Sequence, residues 1–129
     1  MKEIILKTSR RIELIDITAQ VAEAVRSSGI REGICVVYCP HTTAGLTINE
    51  HADPNVASDI VNRLSKLVPH NENYAHIEGN SDAHIKSTLT GNSVQLIVNN
   101  GNLLLGVWQG IFFCEYDGPR NRRVWVQVR

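Results

Sequence analysis

Residues 33–50 read GICVVYCPHTTAGLTINE. The first seven form an unbroken apolar run rich in β-branched side chains, which predicts a central strand. Pro40, which has no N–H for a ladder, ends it. The chain then delivers His41, Thr42 and Thr43 to a turn at Ala44 and Gly45, and LTINE reads as a second short strand leading to Asn49 and Glu50. Hydroxyls and turn amides beside a histidine can hold an anion without carrying charge. A turn stabilised by its own threonines accounts for this segment equally well.

Working outward, KEIILKT and RIELIDI alternate apolar and polar residues on either side of SRR, which predicts two strands joined as a hairpin. Thr18 is then placed to cap a helix, AQVAEAVRSSG, with Val21, Ala24, Val25 and Ser28 on one face and Gly29 as its left-handed stop. DPNVASDIVNRLSKLV is the clearest helix. Asp53 is its N-cap, Pro54 takes the first position, and Val56, Ile60, Leu64 and Leu67 form the expected buried stripe. Asp59, Arg63 and Lys66 fall to a solvated face. Residues 69–81 make a polar loop long enough to suggest function. Ser81 or Asp82 is expected to cap a short helix ending at Gly91. SVQLIVN reads as a strand, NNG as a hairpin turn, and LLLGVWQGIFFCEY as one long bent strand with bulges at Gly106 and Gly110. DGPR then turns the chain into a last strand, RRVWVQV. Strands joined by short turns, with two or three helices as separate insertions, predict an α+β class: mainly antiparallel sheets in a sandwich-like domain spanning residues 1–129.

A chain of 129 residues buries roughly two thirds of its unfolded surface without disulfide or metal support. Thirteen basic residues balance thirteen acidic ones, so no general affinity for nucleic acid or membrane is expected. The one local excess is at the C-terminus, where Arg120, Arg122, Arg123 and Arg129 face a single acid from Asp117 onward. That suits a small anionic ligand. Cys35, Cys39 and Cys114 read as reduced, core-filling thiols of a cytoplasmic protein. The first two would lie on one strand face about 13 Å apart, too far for a disulfide. No secretory leader or membrane span is expected from the sequence.

Polar side chains also gather in AHIEGNSDAHIKSTLTG, residues 75–91, and in GVWQGIFFCEYDGPRNRR, residues 106–123. His84 is expected in the first turn of its helix, where the dipole favours a neutral imidazole, the form that a ligand or a base needs. His76 lies eight residues earlier, a spacing that is no zinc signature and equally fits two solvated histidines. Trp108 offers a stacking surface, or simply core. Glu115 can hold an amine or a metal, and Arg120, Arg122 and Arg123 can clamp phosphate oxygens; a charged hairpin rim is the plainer reading.

Taken together, HTTAGLTINE.ADP, H.EGNSDAHIKSTLTG and GVWQGIFFCEYDGPRNRR resemble the signatures of the YjbQ family, in order and spacing, over essentially the whole chain. The resemblance implies a small α+β protein, assembled as a homotrimer with sites near subunit boundaries, and thiamine-phosphate synthase activity. That reaction joins hydroxymethylpyrimidine pyrophosphate to thiazole phosphate and releases pyrophosphate. By the same resemblance, His41, Glu50, His76, His84, Trp108, Gln109, Glu115 and Arg123 occupy motif positions, whereas His51 fits less well.

The catalytic set expected on this reading is His41, Glu50, His84 and Glu115. Phosphate binding is expected from Thr42, Thr43, Lys86, Arg120, Arg122 and Arg123, with Trp108 and Gln109 on the substrate. Charge neutralisation of the leaving group is the main chemical need. A divalent ion is expected, either zinc-type at His41, His76 and His84 or Mg²⁺ carried with pyrophosphate, and no organic cofactor. Three histidines prefer a borderline metal to Mg²⁺. Two other functions fit the same residues: a histidine–metal hydrolase with Glu50 as base, and a trimeric module that binds a phosphorylated metabolite without turnover.

Overall fold

The computed structural model describes residues 1–129. Its elements run β1 (Lys2–Lys7), β2 (Glu13–Asp16), α1 (Thr18–Ser28), β3 (Gly33–Tyr38), β4 (Ala44–Glu50), α2 (Pro54–Leu67), α3 (Ser81–Thr90), β5 (Ser93–Asn99), β6 (Asn102–Leu103), β7 (Gln109–Glu115) and β8 (Asn121–Val128). Two antiparallel sheets result, one of five strands in the order β1-β8-β3-β5-β6 and one of three in the order β2-β7-β4. This is the expected α+β architecture.

Period-two alternation decides what each strand buries. In β1, Ile4 and Leu6 turn inward while Ile5 stays exposed; in β3, Cys35 and Val37 turn inward while Ile34 and Tyr38 do not. The inward sets join Leu46, Ile111 and Phe113 of the smaller sheet and Val21, Ala24 and Val25 of α1 in the main core. Each such large side chain contributes about 1.5–3 kcal/mol on full burial. β7 is different, because it is covered on both faces. Ile111 and Phe113 face the main core, while Phe112, Cys114 and Tyr116 meet Ala83 of α3 and Leu64 of α2 in a second apolar layer. Its near-continuous apolar sequence follows from that position.

Several local expectations need correction. SRR closes no hairpin: β1 pairs with β8 in one sheet and β2 with β7 in the other. Alternation fixes which face of a strand is buried but does not name its partner. The segment expected as one bent strand breaks into β6 and β7 in different sheets, with Gln109 N–H closing a turn onto Gly106 O at 3.0 Å. Gly110 is no bulge; it pairs in register with Asn49. The NNG turn does close a hairpin, with Asn100 and Gly101 both at positive φ as a type I′ turn requires.

Asp53 caps α2 as expected, its Oδ1 accepting Asn55 N–H at 2.9 Å. The helix packs only sparsely on the sheet, against β2, so Val56, Ile60 and Leu64 are half-buried and Leu67 is exposed. The stripe is present, but it is not core. Thr18 does not cap α1 but is its first residue, with Ile17 at the cap position, and Asn80 rather than Ser81 or Asp82 precedes α3. No helix is long and apolar enough to cross a membrane.

Candidate functional site

Where β3 ends, Cys39 N–H bonds to Asn92 O at 2.7 Å and the chain turns through Pro40 to His41, Thr42 and Thr43. α3 seats against the first residues of β4 through Ser87 Oγ donating to Ala44 O at 2.6 Å and Leu46 N–H donating to Gly91 O at 3.0 Å. Gly45 makes this close approach possible. A Cβ there would stand 2.5 Å from Gly91 O and 2.6 Å from Thr90 Oγ1. His84 is thereby brought across from His41. Between them lies a cavity of about 490 Å³ lined by His41, Thr42, His84, Ser87, Thr88, Gly91 and Asn92, with no hydrophobic residue. A second cavity of about 350 Å³ shares His41, Thr42 and His84 and adds Glu78, Asn80 and Arg120, again with no hydrophobic residue. The two form one polar depression at this end of the smaller sheet.

The imidazole of His41 is held at its Nε2, which lies 3.0 Å from the N and 3.2 Å from the O of Arg123. Burial and the nearby Arg122 guanidinium lower its pKa and so favour the neutral ring. His76 lies beside His84, ring centroids 5.6 Å apart and nearly perpendicular. The polar loop before α3 is tied down by His70 Nε2 donating to Gly79 O and Tyr74 Oη donating to Pro69 O. The opening of residues 75–91 is therefore ordered, and two of its histidines do meet.

The expected three-histidine metal cluster does not form within the chain. Nowhere do three or more His, Cys, Asp or Glu side chains converge as a metal site requires. His76 and His84 pair, while the Nε2 of His41 is engaged with backbone. A zinc-type ion needs donors at about 2 Å on several sides, and these residues alone do not supply them.

Three further side chains expected to take part in chemistry are buried and engaged within the chain. Glu115 is fully buried, its Oε1 accepting from Thr8 Oγ1 at 2.7 Å and Arg122 Nε at 2.9 Å, and its Oε2 from the Tyr116 and Asp117 N–H groups. Buried Arg122 continues to Thr43, donating from Nη2 to its Oγ1 at 2.8 Å. This network fixes the Thr43 turn from beneath; Arg122 and Thr43 line the second cavity, but the guanidinium is already engaged by Glu115 and Thr43. Lys86 is likewise buried, its Nζ 2.9 Å from Asp82 Oδ2, while Arg11 binds both oxygens of the same carboxylate. Thr43 is buried with Arg122, leaving Thr42 as the exposed hydroxyl.

Of the arginines, Arg120 lines the depression, braced by Asp117 through Nε to O at 2.7 Å and Nη2 to Oδ2 at 2.9 Å. Arg123 alternates with Arg122 along β8 and projects outward, its Nη1 3.6 Å from Glu3 Oε2; only its backbone meets His41. Glu50, Trp108 and Gln109 stand at the far end of the smaller sheet. Register pairs Ala44 with Glu115 at one end and Glu50 with Gln109 at the other, six residues or roughly 20 Å away. Trp108 is exposed there rather than core.

Asp82, Asn80 and Ser87 escaped the sequence reading. The Asp82–Lys86 pair is legible as an i,i+4 contact. Asn80, whose Nδ2 donates to Asp117 Oδ2 at 2.8 Å, had no local signal.

The YjbQ family model, described as UPF0047 protein YjbQ-like, matches residues 2–129, and the chain belongs to this family. A UPF0047 protein of Methanocaldococcus jannaschii, MJ1081, is 56% identical over 123 residues, covering 95% of this chain and 89% of that protein. The UPF0047 protein YugU of Bacillus subtilis is 48% identical, covering 99% and 98%. Among solved structures, a YjbQ/UPF0047 protein of Clostridium acetobutylicum superposes with a TM-score of 0.99 at 54% identity, covering all of both chains. A YbjQ-like protein of unknown function from Sulfolobus solfataricus does so with a TM-score of 0.95 at 36% identity, covering 98% and 94%.

Proposed function

We propose that the chain is an enzyme of phosphorylated small molecules with thiamine-phosphate synthase-like activity, the activity that the family resemblance implies. The observation that carries the phosphate part is the depression between His41 and His84, whose lining gathers hydroxyl, imidazole, amide and guanidinium groups. Thr42, Ser87 and Thr88 offer hydroxyls, His41 a neutral imidazole, and Arg120 a guanidinium already aimed by Asp117. In the synthase reaction the bond from the pyrimidinylmethyl carbon to pyrophosphate oxygen breaks as the thiazole nitrogen bonds to that carbon. Preorganised donors around the departing pyrophosphate lower the barrier. No strong nucleophile from the protein is required.

Homotrimeric assembly belongs to the same proposal. The two halves of the motif set lie at opposite ends of the sheet, and a neighbouring subunit can bring one chain's Glu50, Trp108 and Gln109 to another's His41 and His84. Exposed Ile77, Ile85 and Leu89 beside one end, and Val107 and Trp108 at the other, support such contacts. A metal ion would need the same neighbour to complete its donors, so no step here is routed through one; a hydrolase built on the three histidines of a single chain is not proposed.

The test is formation of thiamine phosphate by purified protein from the two phosphorylated substrates, with sedimentation to measure assembly. His84→Ala and Arg120→Ala should lower the rate while the fold stays intact. A rate indifferent to both variants removes this depression from the reaction. Stabilisation by pyrophosphate without any turnover would instead make the protein a binding module.

A further inference from the structure

At the far end of the smaller sheet, His51 is held more firmly than a surface histidine needs to be. Its Nδ1 lies 2.8 Å from Asp16 Oδ2. The other oxygen of Asp16 accepts Thr18 N–H at 2.9 Å and Thr18 Oγ1–H at 2.6 Å, and Thr18 Oγ1 in turn accepts the N–H of buried Ile111 at 2.9 Å. These bonds give Asp16 a lowered pKa: burial opposes the shift, and the hydrogen bonds from Thr18 and His51 outweigh it. A chain of donors thus runs from the core strand β7 outward to the imidazole. Beneath the ring is Gly110, where any Cβ would overlap the His51 ring atoms. The backbone N–H of His51 bonds to Trp108 O at 3.0 Å.

A carboxylate bound at Nδ1 fixes the tautomer and leaves the lone pair on Nε2. Nε2 has no partner within the chain, and the side chain of His51 is one-third exposed. Close by are Glu50, the opposing Gln109, and the exposed Val107 and Trp108. The strand register is already set by the β4–β7 ladder and α2 is capped by Asp53, so neither needs the imidazole.

We propose that Asp16 and His51 form a carboxylate–imidazole base, Nε2 accepting a proton from water or from a hydroxyl brought to the open side of the ring beside the Val107–Gln109 turn. This rests on the same far-end residues that assembly would carry to His41 and His84, but it needs no phosphorylated group, so loss of ester hydrolysis and loss of thiamine-phosphate formation are separate outcomes. Given an activated ester, the same base draws the proton from water as the water oxygen adds to the carbonyl carbon. The bond to the leaving phenolate then breaks, yielding a carboxylate and a phenol.

The experiment follows hydrolysis of p-nitrophenyl acetate by the full chain, together with carbethoxylation of each histidine by diethyl pyrocarbonate read by mass spectrometry. Wild-type protein should hydrolyse the ester above background, and His51→Gln should remove that increment. Asp16→Asn, which keeps the shape of the side chain, should lower it about tenfold, less than the hundredfold or more given by a positioned substrate. His51 should be carbethoxylated faster than His70, whose Nε2 is engaged, and Asp16→Asn should slow His51 alone. Ester hydrolysis unchanged in His51→Gln, or His51 carbethoxylation indifferent to Asp16→Asn in a variant that melts like wild type, overturns the proposal.

Discussion

Nε of Arg122 lies 2.9 Å from Oε1 of Glu115, and both side chains are buried. Removing one partner strands a charge away from water. Glu115→Ala should therefore lower the unfolding free energy by about 3–5 kcal/mol, measured by denaturant titration. A loss below about 1 kcal/mol is what an exposed pair gives, and would mean that the network does not hold the Thr43 turn.

Lys86 makes a sharper distinction between structure and ligand binding. Its ammonium is engaged with Asp82, whereas the Arg120 guanidinium lines the depression. Lys86→Met should leave the thermal shift caused by pyrophosphate unchanged, and Arg120→Ala should reduce it. Asp82 keeps Arg11 in Lys86→Met, so that variant should be less destabilised than Asp82→Ala, which strands Lys86.

Stability should depend on pH in two separate windows. The folded pKa of His41 is below the ordinary 6.5, because burial and Arg122 disfavour the cation. Its contribution is complete above pH 6.5 and is lost as pH falls through the depressed value, since the unfolded chain binds the proton first. Asp82 and Asp117 are lowered from 3.8: burial opposes the shift, and hydrogen bonds from Arg11 and Lys86, or from Asn80 and Arg120, outweigh it. Their contribution disappears only below that. Melting temperatures of wild type and His41→Gln should converge as pH falls below 6.5, while the acid loss carried by Asp82 and Asp117 below 3.8 remains in both.

Gly45→Ala should separate the walls of the depression. The new methyl meets the Gly91 carbonyl and the Thr90 side chain, and backbone yields less readily than a flexible side chain. The expected cost is about 1–3 kcal/mol, with pyrophosphate stabilisation falling in parallel. Unchanged ligand stabilisation would show that the α3–β4 contact does not shape the site.

Burial raises the thiols of Cys35 and Cys39 to about 11 and that of Cys114 to about 12. Iodoacetamide at pH 8 should leave all three unmodified in the native protein and label them after unfolding.

Local chemistry was legible where it acts locally. The Asp53 cap, the Asn100–Gly101 turn, the β3 strand and the buried thiols follow from neighbouring residues alone. The pairing of β1 with β8, across most of the chain, does not, since alternation in KEIILKT carries no information about its partner. The same limit applies to the site. The ordered loop and the meeting of His76 with His84 were readable, but the burial of Glu115, Arg122 and Lys86 was not. A charged side chain looks the same in sequence whether it faces solvent or a counterion 2.9 Å away in the core.

Arg122 and Arg123 take opposite sides of β8 through parity alone. Adding or deleting one residue in the turn that carries the cis Gly118–Pro119 bond would exchange them: a guanidinium now matched to Glu115 would face outward and its neighbour would be driven inward. The length of that turn is therefore as much a part of the design as any residue within it.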